Sequence, residues 1–241
     1  MNCIIVIGTY NEAENIPGLL TDIMKLGPNY EAIVVDDNSP DGTGKLVSGM
    51  AAKDPRIHLV HRESRLGYGS AYLEGFRAAL GMGADYIVQM DADYSHNPQD
   101  IPRLLEAAKD ADVVVGSRYV KGGQIKGWPL RRRIISRVAN LVARVLLKLP
   151  LRDCTGGFKC FRRSTLESIS FEDVRSRGFA SLYEINYFCH QSGKALSEVP
   201  IIFVDRQAGQ SKLSYKVILE ALRVMLRLRL SGSNHKAGTG T

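Results

Sequence analysis

Residues 86–93 read YIVQMDAD, a short apolar run of β-prone residues that ends in two acidic side chains. Four similar runs occur before residue 120, and stretches with helical periodicity separate them. The predicted strands are residues 4–7, 32–35, 58–61, 86–90 and 113–115, and the predicted helices are residues 13–25, 44–53, 68–81 and 100–109. Strands that alternate with helices in this way predict an α/β fold with a mainly parallel, doubly wound sheet.

Polar residues follow three of the predicted strands, at the position where parallel α/β sheets bind their ligands. The first strand leads into residues 8–12 (GTYNE), the second into Asp36 and Asp37, and the fourth into Asp91 and Asp93. Because Asp91 and Asp93 are spaced i, i+2, both carboxylates can turn toward one cation, and their oxygens suit Mg²⁺ or Mn²⁺. An Asp-x-Asp tripeptide is also common in loops, but its place after a buried strand favours a metal site.

The loop after the second strand allows two interpretations. The Asp37 carboxylate could accept hydrogen bonds from a nucleobase, whereas residues 38–42 (NSPDG) could simply turn the chain and cap the next helix. Two familiar phosphate-binding motifs are excluded. Gly44-Lys45 is followed by leucine and has no glycine five residues earlier, so it is not a P-loop, and residues 67–69 (GYG) lack the third glycine of a dinucleotide fingerprint.

The 241 residues carry a formal net charge of +7, and 44% of them are hydrophobic, which excludes general disorder, collagen-like chains and long coiled coils. The charge is uneven. Residues 1–120 hold 10 basic and 17 acidic side chains, whereas residues 121–163 hold 12 basic and one acidic. The basic segment predicts an anionic substrate or membrane surface. With 7% aromatic residues and no basic-aromatic stacking pattern, a nucleic-acid partner is not expected.

Two stretches in the basic part of the chain have amphipathic helical periodicity, residues 134–149 and 217–230. In the first, Arg137, Asn140, Arg144 and Lys148 lie on a different face from the apolar residues. This helix could pack on the sheet with a solvated basic side, or lie in a membrane interface. No run reaches about 18 apolar residues, so no transmembrane span is predicted. Without a CxxC pair or a signal-peptide pattern, the chain is expected to face the cytosol.

Six separated motifs match, in order and spacing, those of the dolichyl-phosphate (polyprenyl-phosphate) β-mannosyltransferases. They are Thr9–Glu12, Val35–Asp37 with Ser39–Thr43, Met90–Asp93 with Ser95, His96 and Pro98, Gly116–Tyr119, Trp128 with Arg131–Ser136, and Val199–Pro200 with Phe203–Arg206 and Gly209–Lys212. The chain therefore resembles that branch of glycosyltransferase family 2. The resemblance implies a GT-A fold and inverting transfer of mannose from GDP-mannose to dolichyl or polyprenyl phosphate, with Mg²⁺ or Mn²⁺. Transfer of glucose from UDP-glucose is the alternative within the family.

The resemblance also assigns roles to individual residues. The residues implied to bind the nucleotide sugar are Gly8, Tyr10, Glu12, Val35, Asp37, Asp91, Ala92, Asp93, Arg206 and Lys212. At the position of Gly8 the family usually has proline. The implied metal ligands are Asp91, Asp93 and Ser95, and the implied contacts of the acceptor phosphate are Arg118, Arg132 and Ser136. Asp91, Asp93 and Arg118 are the implied catalytic residues.

The same reasoning predicts how the chain is organised. Residues 1–213 form the catalytic domain, with a nucleotide-sugar half (1–120) and an acceptor half (121–213), followed by an amphipathic helix (214–230) and a disordered tail (231–241). The protein is expected to bind peripherally to the cytosolic face of a membrane, the endoplasmic reticulum in a eukaryote or the plasma membrane in a prokaryote. Small membrane-embedded regulatory subunits are further expected partners. A basic binding module without catalysis is the competing class, but it would not need Asp91 and Asp93.

Overall fold

The computed structural model describes residues 1–205 and 221–230. The main sheet contains β1 (Cys3–Thr9), β2 (Tyr30–Asp36), β3 (Ile57–His61), β4 (Tyr86–Asp91), β5 (Val113–Ser117), β7 (Lys159–Arg162) and β8 (Leu196–Pro200). Its strand order is β3-β2-β1-β4-β7-β5-β8, and only β7 runs antiparallel to its neighbours. A second, two-stranded parallel sheet joins β6 (Gln124–Lys126) to β9 (Ile202–Val204). The prediction of a mainly parallel α/β sheet is confirmed.

Helices cover both faces of the main sheet. They are α1 (Ile16–Met24), α2 (Thr43–Ala51), α3 (Tyr68–Gly81), α4 (Ile101–Ala107), α5 (Leu130–Leu147), α6 (Arg163–Glu167) and α7 (Ser181–Gln191), with a 3₁₀ turn at Pro98–Asp100. Residues 221–230 are also helical and are called the C-terminal helix below. The rest of the predicted helix 214–230 and the predicted tail 231–241 lie outside the described residues. In the part of the chain that the structure describes, no helix is long and apolar enough to cross a bilayer.

The strands are continuous apolar runs because both of their faces are buried. In β1, Ile4 and Val6 face a layer that contains α3, α7, the end of α5 and the C-terminal helix. Ile5 and Ile7 face the opposite layer, which contains α1, α2 and α4. Successive side chains alternate between these two layers, so neither face of the strand tolerates a polar residue without a partner.

Lys159, in β7, is an exception to the apolar core. It is fully buried, and its Nζ donates a 2.6 Å hydrogen bond to the carbonyl oxygen of Leu182 in α7. Burial lowers the pKa of Lys159 from 10.5 to about 7. Between these two values the unfolded chain holds the proton and the folded protein does not, so this residue makes the protein more stable as the pH rises above 7.

We expect Lys159→Met to remove this pH dependence. Between pH 7 and pH 8.5 the slope of the free energy of unfolding against pH should be more positive in the unchanged protein than in the variant, by up to about 1.4 kcal/mol per pH unit, while the buried cysteines, whose pKa values are raised, lower the slope in both proteins. Urea unfolding at three pH values measures both slopes, and Lys53→Met, at an exposed lysine on the surface, is the matched control. Equal slopes in the unchanged protein and Lys159→Met would contradict the burial of a neutral amine.

Candidate active site

The predicted loops meet because their strands are neighbours in the sheet. Strand β1 lies between β2 and β4, and all three run in parallel. In this register Gly8 pairs with Val35 on one side and with Asp91 on the other. The residues assigned to the nucleotide and to the metal are therefore adjacent at one edge of the sheet, as the rule for parallel α/β sheets requires.

Two tyrosines of α3 hold one oxygen of Asp91. The Tyr68 hydroxyl donates to Asp91 Oδ1 at 2.9 Å, and the Tyr72 hydroxyl lies 3.2 Å from the same oxygen while also donating to the Met90 carbonyl at 2.8 Å. Burial and the nearby Asp91 carboxylate hold the pKa values of Tyr68 and Tyr72 well above their ordinary range. Both hydroxyls therefore stay protonated and act as donors.

The backbone of Asp91 is anchored by His96, which is buried and stacks on Phe158 with 5.0 Å between ring centroids. The Asp91 N–H donates to His96 Nδ1 at 3.3 Å. Burial lowers the pKa of His96, so that the ring is neutral and can accept this hydrogen bond at neutral pH. His96 thus orients the end of β4 without being charged.

The oxygens in this region fit a hard divalent cation. No hydrogen bond from the described residues reaches Asp91 Oδ2, and Gly157 lies so close that a Cβ there would stand 3.2 Å from this oxygen. Asp93 Oδ1 accepts the Ser95 N–H at 3.1 Å, and the buried Ser95 Oγ has no hydrogen-bond partner among the described residues. Among the described residues, no group of three or more His, Cys, Asp or Glu side chains is placed to hold a metal ion. A Mg²⁺ ion held here would need further oxygen ligands, which water commonly supplies.

Backbone strain marks the same three loops. Asn11, Asn38 and Tyr94 have φ values of 60°, 55° and 57°, in the left-handed region. This conformation is tolerated by asparagine but is uncommon for a bulky side chain such as Tyr94, which directly follows Asp93. Strain of this kind concentrates at functional sites, where the surrounding structure enforces it.

Asp37 is buried between backbone and side-chain partners. Its Oδ2 accepts the Gly67 N–H at 3.0 Å, and its Oδ1 lies 2.7 Å from Nη1 of the buried Arg62. Nearby, the Arg65 guanidinium stacks over the ring of Tyr10 at 3.9 Å. Both arginines were missed from the sequence, because single basic residues in a loop carry no recognisable signal.

In the loop after β2, Asp41 Oδ1 accepts the Thr43 N–H at 3.0 Å at the start of α2, whose N-cap residue is Gly42 and has no side-chain cap bond. Its other oxygen accepts the Ala13 N–H at 3.0 Å. The Glu12 N–H donates to Thr43 Oγ1 at 3.0 Å. These bonds tie the loops after β1 and β2 together beside the site, and place Glu12 at their junction.

Arg118, the residue directly after β5, forms a buried ion pair with Asp153. Its Nε and Nη2 donate to the two Asp153 oxygens at 2.7 Å each, and Nη2 also donates to Thr155 Oγ1 at 2.9 Å. Burial works against both charges, but their mutual attraction and hydrogen bonds raise the pKa of Arg118 and lower that of Asp153. Nη1 makes no hydrogen bond to any described residue.

The two other predicted acceptor contacts lie on the first turns of α5. Arg132 pairs with Asp205 at 2.9 Å, and its guanidinium stacks over Trp128 at 4.0 Å. The Ser136 hydroxyl accepts a 2.7 Å hydrogen bond from Tyr119, the residue after Arg118. Arg206 and Lys212 lie outside the described residues.

Asn140 was wrongly placed on the solvated face of α5. Its side chain is buried and bonds Thr155, with Nδ2 donating at 3.1 Å and Oδ1 accepting the Thr155 N–H at 3.1 Å. Periodicity assigned it to the polar face because asparagine is polar, but a polar residue can be buried when partners satisfy it. Asp153, Tyr68, Tyr72 and Gly157 were also missed, because their partners are distant in the sequence.

The sequence is similar to a known family and to known proteins over most of its length. The profile of Glycosyl transferase family 2 matches residues 4–170. The chain is 42% identical over 222 residues to the undecaprenyl-phosphate mannosyltransferase of Micrococcus luteus, covering 92% of this chain and 91% of that protein. It is also 42% identical over 221 residues to the polyprenol monophosphomannose synthase of Mycolicibacterium smegmatis, covering 91% of this chain and 83% of that protein.

Solved structures share the fold at much lower identity. Glucosyl-3-phosphoglycerate synthase from Mycobacterium tuberculosis, solved with Mn²⁺, UDP-glucose and phosphoglyceric acid, is 18% identical with a TM-score of 0.65, covering 95% of this chain and 79% of that one. A second solved structure, of a mycobacterial protein, is 21% identical with a TM-score of 0.68, covering 95% and 74%. At these identities the likeness establishes the architecture of the sheet and its helices.

Proposed function

Because the chain belongs to glycosyltransferase family 2 and has its GT-A fold, we propose that it transfers mannose from GDP-mannose to a polyprenyl or dolichyl phosphate, with inversion at the anomeric carbon. The observation that carries this proposal is the similarity, over more than nine-tenths of the chain, to two proteins named for mannosyl transfer to polyprenyl phosphate. The pairing of Gly8 with both Val35 and Asp91 supports it, because it gathers the residues assigned to one donor.

The chemistry does not require a dedicated general base. A phosphate monoester has a second pKa of about 6, so the lipid phosphate is mostly a dianion at neutral pH. One of its oxygens would attack the anomeric carbon of mannose as the bond from that carbon to the diphosphate breaks, releasing GDP and inverting the configuration. Catalysis would then rest on alignment and on stabilisation of charge.

Residues of this chain would supply that alignment. Asp91 and Asp93, with Ser95 beside them, would hold Mg²⁺ or Mn²⁺, which when bound contributes positive charge beside the leaving diphosphate. Arg118 would direct Nη1 toward the acceptor phosphate while Asp153 fixes its other edge. Asp153 thus orients Arg118 without touching the substrate.

A direct assay tests the proposal. The purified protein is incubated with radiolabelled GDP-mannose and a short polyprenyl phosphate, with and without EDTA, and the organic phase is scored for a mannolipid labile to mild acid. We expect a mannolipid that disappears with EDTA and returns with Mg²⁺ or Mn²⁺. A parallel arm with UDP-glucose tests the alternative donor. Absence of any metal-dependent mannolipid would overturn the proposal. Formation of a glucolipid instead would identify UDP-glucose as the donor.

We also propose that the protein binds the cytosolic face of a membrane peripherally through α5 and the C-terminal helix. Apolar side chains on α5 are exposed at helical spacing, forming a stripe of Leu130, Ile134, Val138, Leu141 and Val145, each more than half exposed. The exposed Arg131, Arg137 and Arg144 accompany them. The C-terminal helix has a similar stripe of Leu222, Leu226 and Leu230. Apolar stripes with basic neighbours suit an anionic lipid surface. Small membrane-embedded subunits would be additional partners.

Replacing Ile134, Val138 and Leu141 together by glutamine should weaken binding to phosphatidylglycerol-containing vesicles at least about tenfold, because partial burial of three such side chains is worth more than one factor of ten. Co-sedimentation measures the bound fraction. The control replaces Leu46 and Met82, exposed apolar residues outside both stripes, by glutamine. Equal vesicle binding by the two variants would exclude α5 from the interface.

A further inference from the structure

The first turn of α3 carries the Gly67-Tyr68-Gly69 sequence, which is not a dinucleotide fingerprint and has another use in this fold. Gly67 has a φ of 104°, and its N–H binds Asp37. The Gly69 N–H donates to the Arg177 carbonyl at 2.7 Å, and a Cβ at Gly69 would stand 2.6 Å from the Ser176 carbonyl oxygen. Because the residues on both sides of Tyr68 are glycines, the backbone can pack closely against the carbonyl groups of Ser176 and Arg177. This packing fixes the position of Tyr68.

The Tyr68 side chain is equally constrained. Its ring lies between Tyr72 and Phe179, with centroid distances of 4.7 and 4.6 Å. Its hydroxyl accepts a hydrogen bond from Gln89 Nε2 at 3.2 Å and donates its own proton to Asp91 Oδ1 at 2.9 Å. Since the hydroxyl has one proton, the bond from Gln89 directs that proton to Asp91.

As a consequence, the two carboxylate oxygens of Asp91 have different surroundings. Oδ1 of Asp91 is occupied by Tyr68, and Tyr72 lies 3.2 Å away, whereas no described residue donates to Oδ2. Gly157 closes over both groups, since a Cβ there would stand 2.8 Å from the Tyr68 hydroxyl and 3.2 Å from Oδ2. A residue larger than glycine at position 157 would push the two side chains apart.

We infer that Tyr68 is a positioning residue of the cation site, which holds Oδ1 of Asp91 and thereby presents Oδ2 as the oxygen that binds the divalent cation. This inference rests on the proposed function, because it assumes that Asp91 is a metal ligand. Groups that hydrogen-bond to a metal ligand commonly change metal affinity by 10–100-fold when they are removed. The loss of the Tyr68 hydroxyl should therefore weaken cation binding without removing either aspartate.

The test measures binding instead of turnover. Radiolabelled GDP is held in equilibrium dialysis with the full chain at increasing Mn²⁺, and the midpoint Mn²⁺ concentration is compared among the unchanged protein, Tyr68→Phe, Asp91→Asn and Tyr30→Phe. Tyr68→Phe keeps the ring stacked between Tyr72 and Phe179. Tyr30, at the opposite end of β2 from the site, is the matched control.

We expect Tyr68→Phe to raise the Mn²⁺ midpoint about tenfold and to reach the same GDP plateau at saturating Mn²⁺, a separation that general damage to the fold would not produce. Tyr30→Phe should match the unchanged protein, and Asp91→Asn should lose the Mn²⁺ dependence. An unchanged Mn²⁺ midpoint in Tyr68→Phe would overturn the inference about Tyr68 and leave the proposed function standing. If the unchanged protein retains no GDP, or retains it regardless of Mn²⁺, the proposed donor and metal site fail and the inference falls with them.

Discussion

Replacing Asp91 by asparagine is expected to lower the transferase activity roughly 10²–10³-fold, the range typical for the loss of one preorganised electrostatic contact. The carbonyl oxygen of the new side chain can still accept the hydrogen bond from Tyr68. An amide nitrogen, which donates and has no negative charge, then replaces Oδ2. The variant should therefore fold normally while losing the group proposed to bind the cation.

The control for this change lies just before the start of β4, at the opposite end of the strand from Asp91. Asp85 precedes β4 and accepts the Asn2 N–H at 2.7 Å, far from the loops of the site. Asp85→Asn should keep its activity within about twofold. Circular dichroism and thermal unfolding establish that both variants are folded, and the mannolipid assay measures their rates. Near-normal turnover by Asp91→Asn would remove Asp91 from the catalytic residues.

Replacing Asp153 by alanine should have the largest effect on stability, about 3–5 kcal/mol, because it leaves the Arg118 charge buried without its partner. The pKa of Asp153 is lowered in the folded protein, so its contribution is present above the ordinary pKa of an aspartate and is lost as the pH falls below it. Urea unfolding at pH 7 measures the destabilisation. A loss below about 1 kcal/mol would show that the pair contributes little.

A double variant, Arg118→Met with Asp153→Leu, separates stability from function. Because both charges are removed and the volume is roughly kept, most of the lost stability should return. Transfer to the lipid phosphate should stay abolished, since Nη1 of Arg118 is the proposed contact of that phosphate. A stable and active double variant would mean that Arg118 serves only to pair with Asp153.

Several elements of the fold could be predicted from the sequence because each is encoded locally. The helix predicted over residues 68–81 is α3 with the same bounds, and the five predicted strands are β1 to β5, most of them a few residues longer. Strand β7 escaped prediction because Lys159 and Arg162 interrupt its apolar pattern. The Lys159 side chain is tolerated in the core because its Nζ donates a hydrogen bond to a carbonyl oxygen of α7 and because its pKa is lowered.

In the site, too, some features are encoded locally in the sequence and others depend on tertiary contacts. The acidic pair at the end of β4 and the polar loops after β1 and β2 were recognisable from the sequence, because a strand end followed by a fixed motif is a local signal. The hydrogen bond from Tyr68 to Asp91 joins residues that are 23 positions apart in the sequence, and the bond from Arg118 to Asp153 joins residues 35 positions apart. No periodicity or motif links residues so far apart.

The sequence by itself therefore determined the type of fold, the family and the chemical character of the loops, because each depends on short patterns and on their order along the chain. The tertiary structure decided which of these loops are neighbours, because strand order places β1 between β2 and β4. It also decided which oxygen of Asp91 and which nitrogen of Arg118 remain free of hydrogen bonds from the described residues. Such choices depend on burial and on partners that only packing brings within hydrogen-bonding distance.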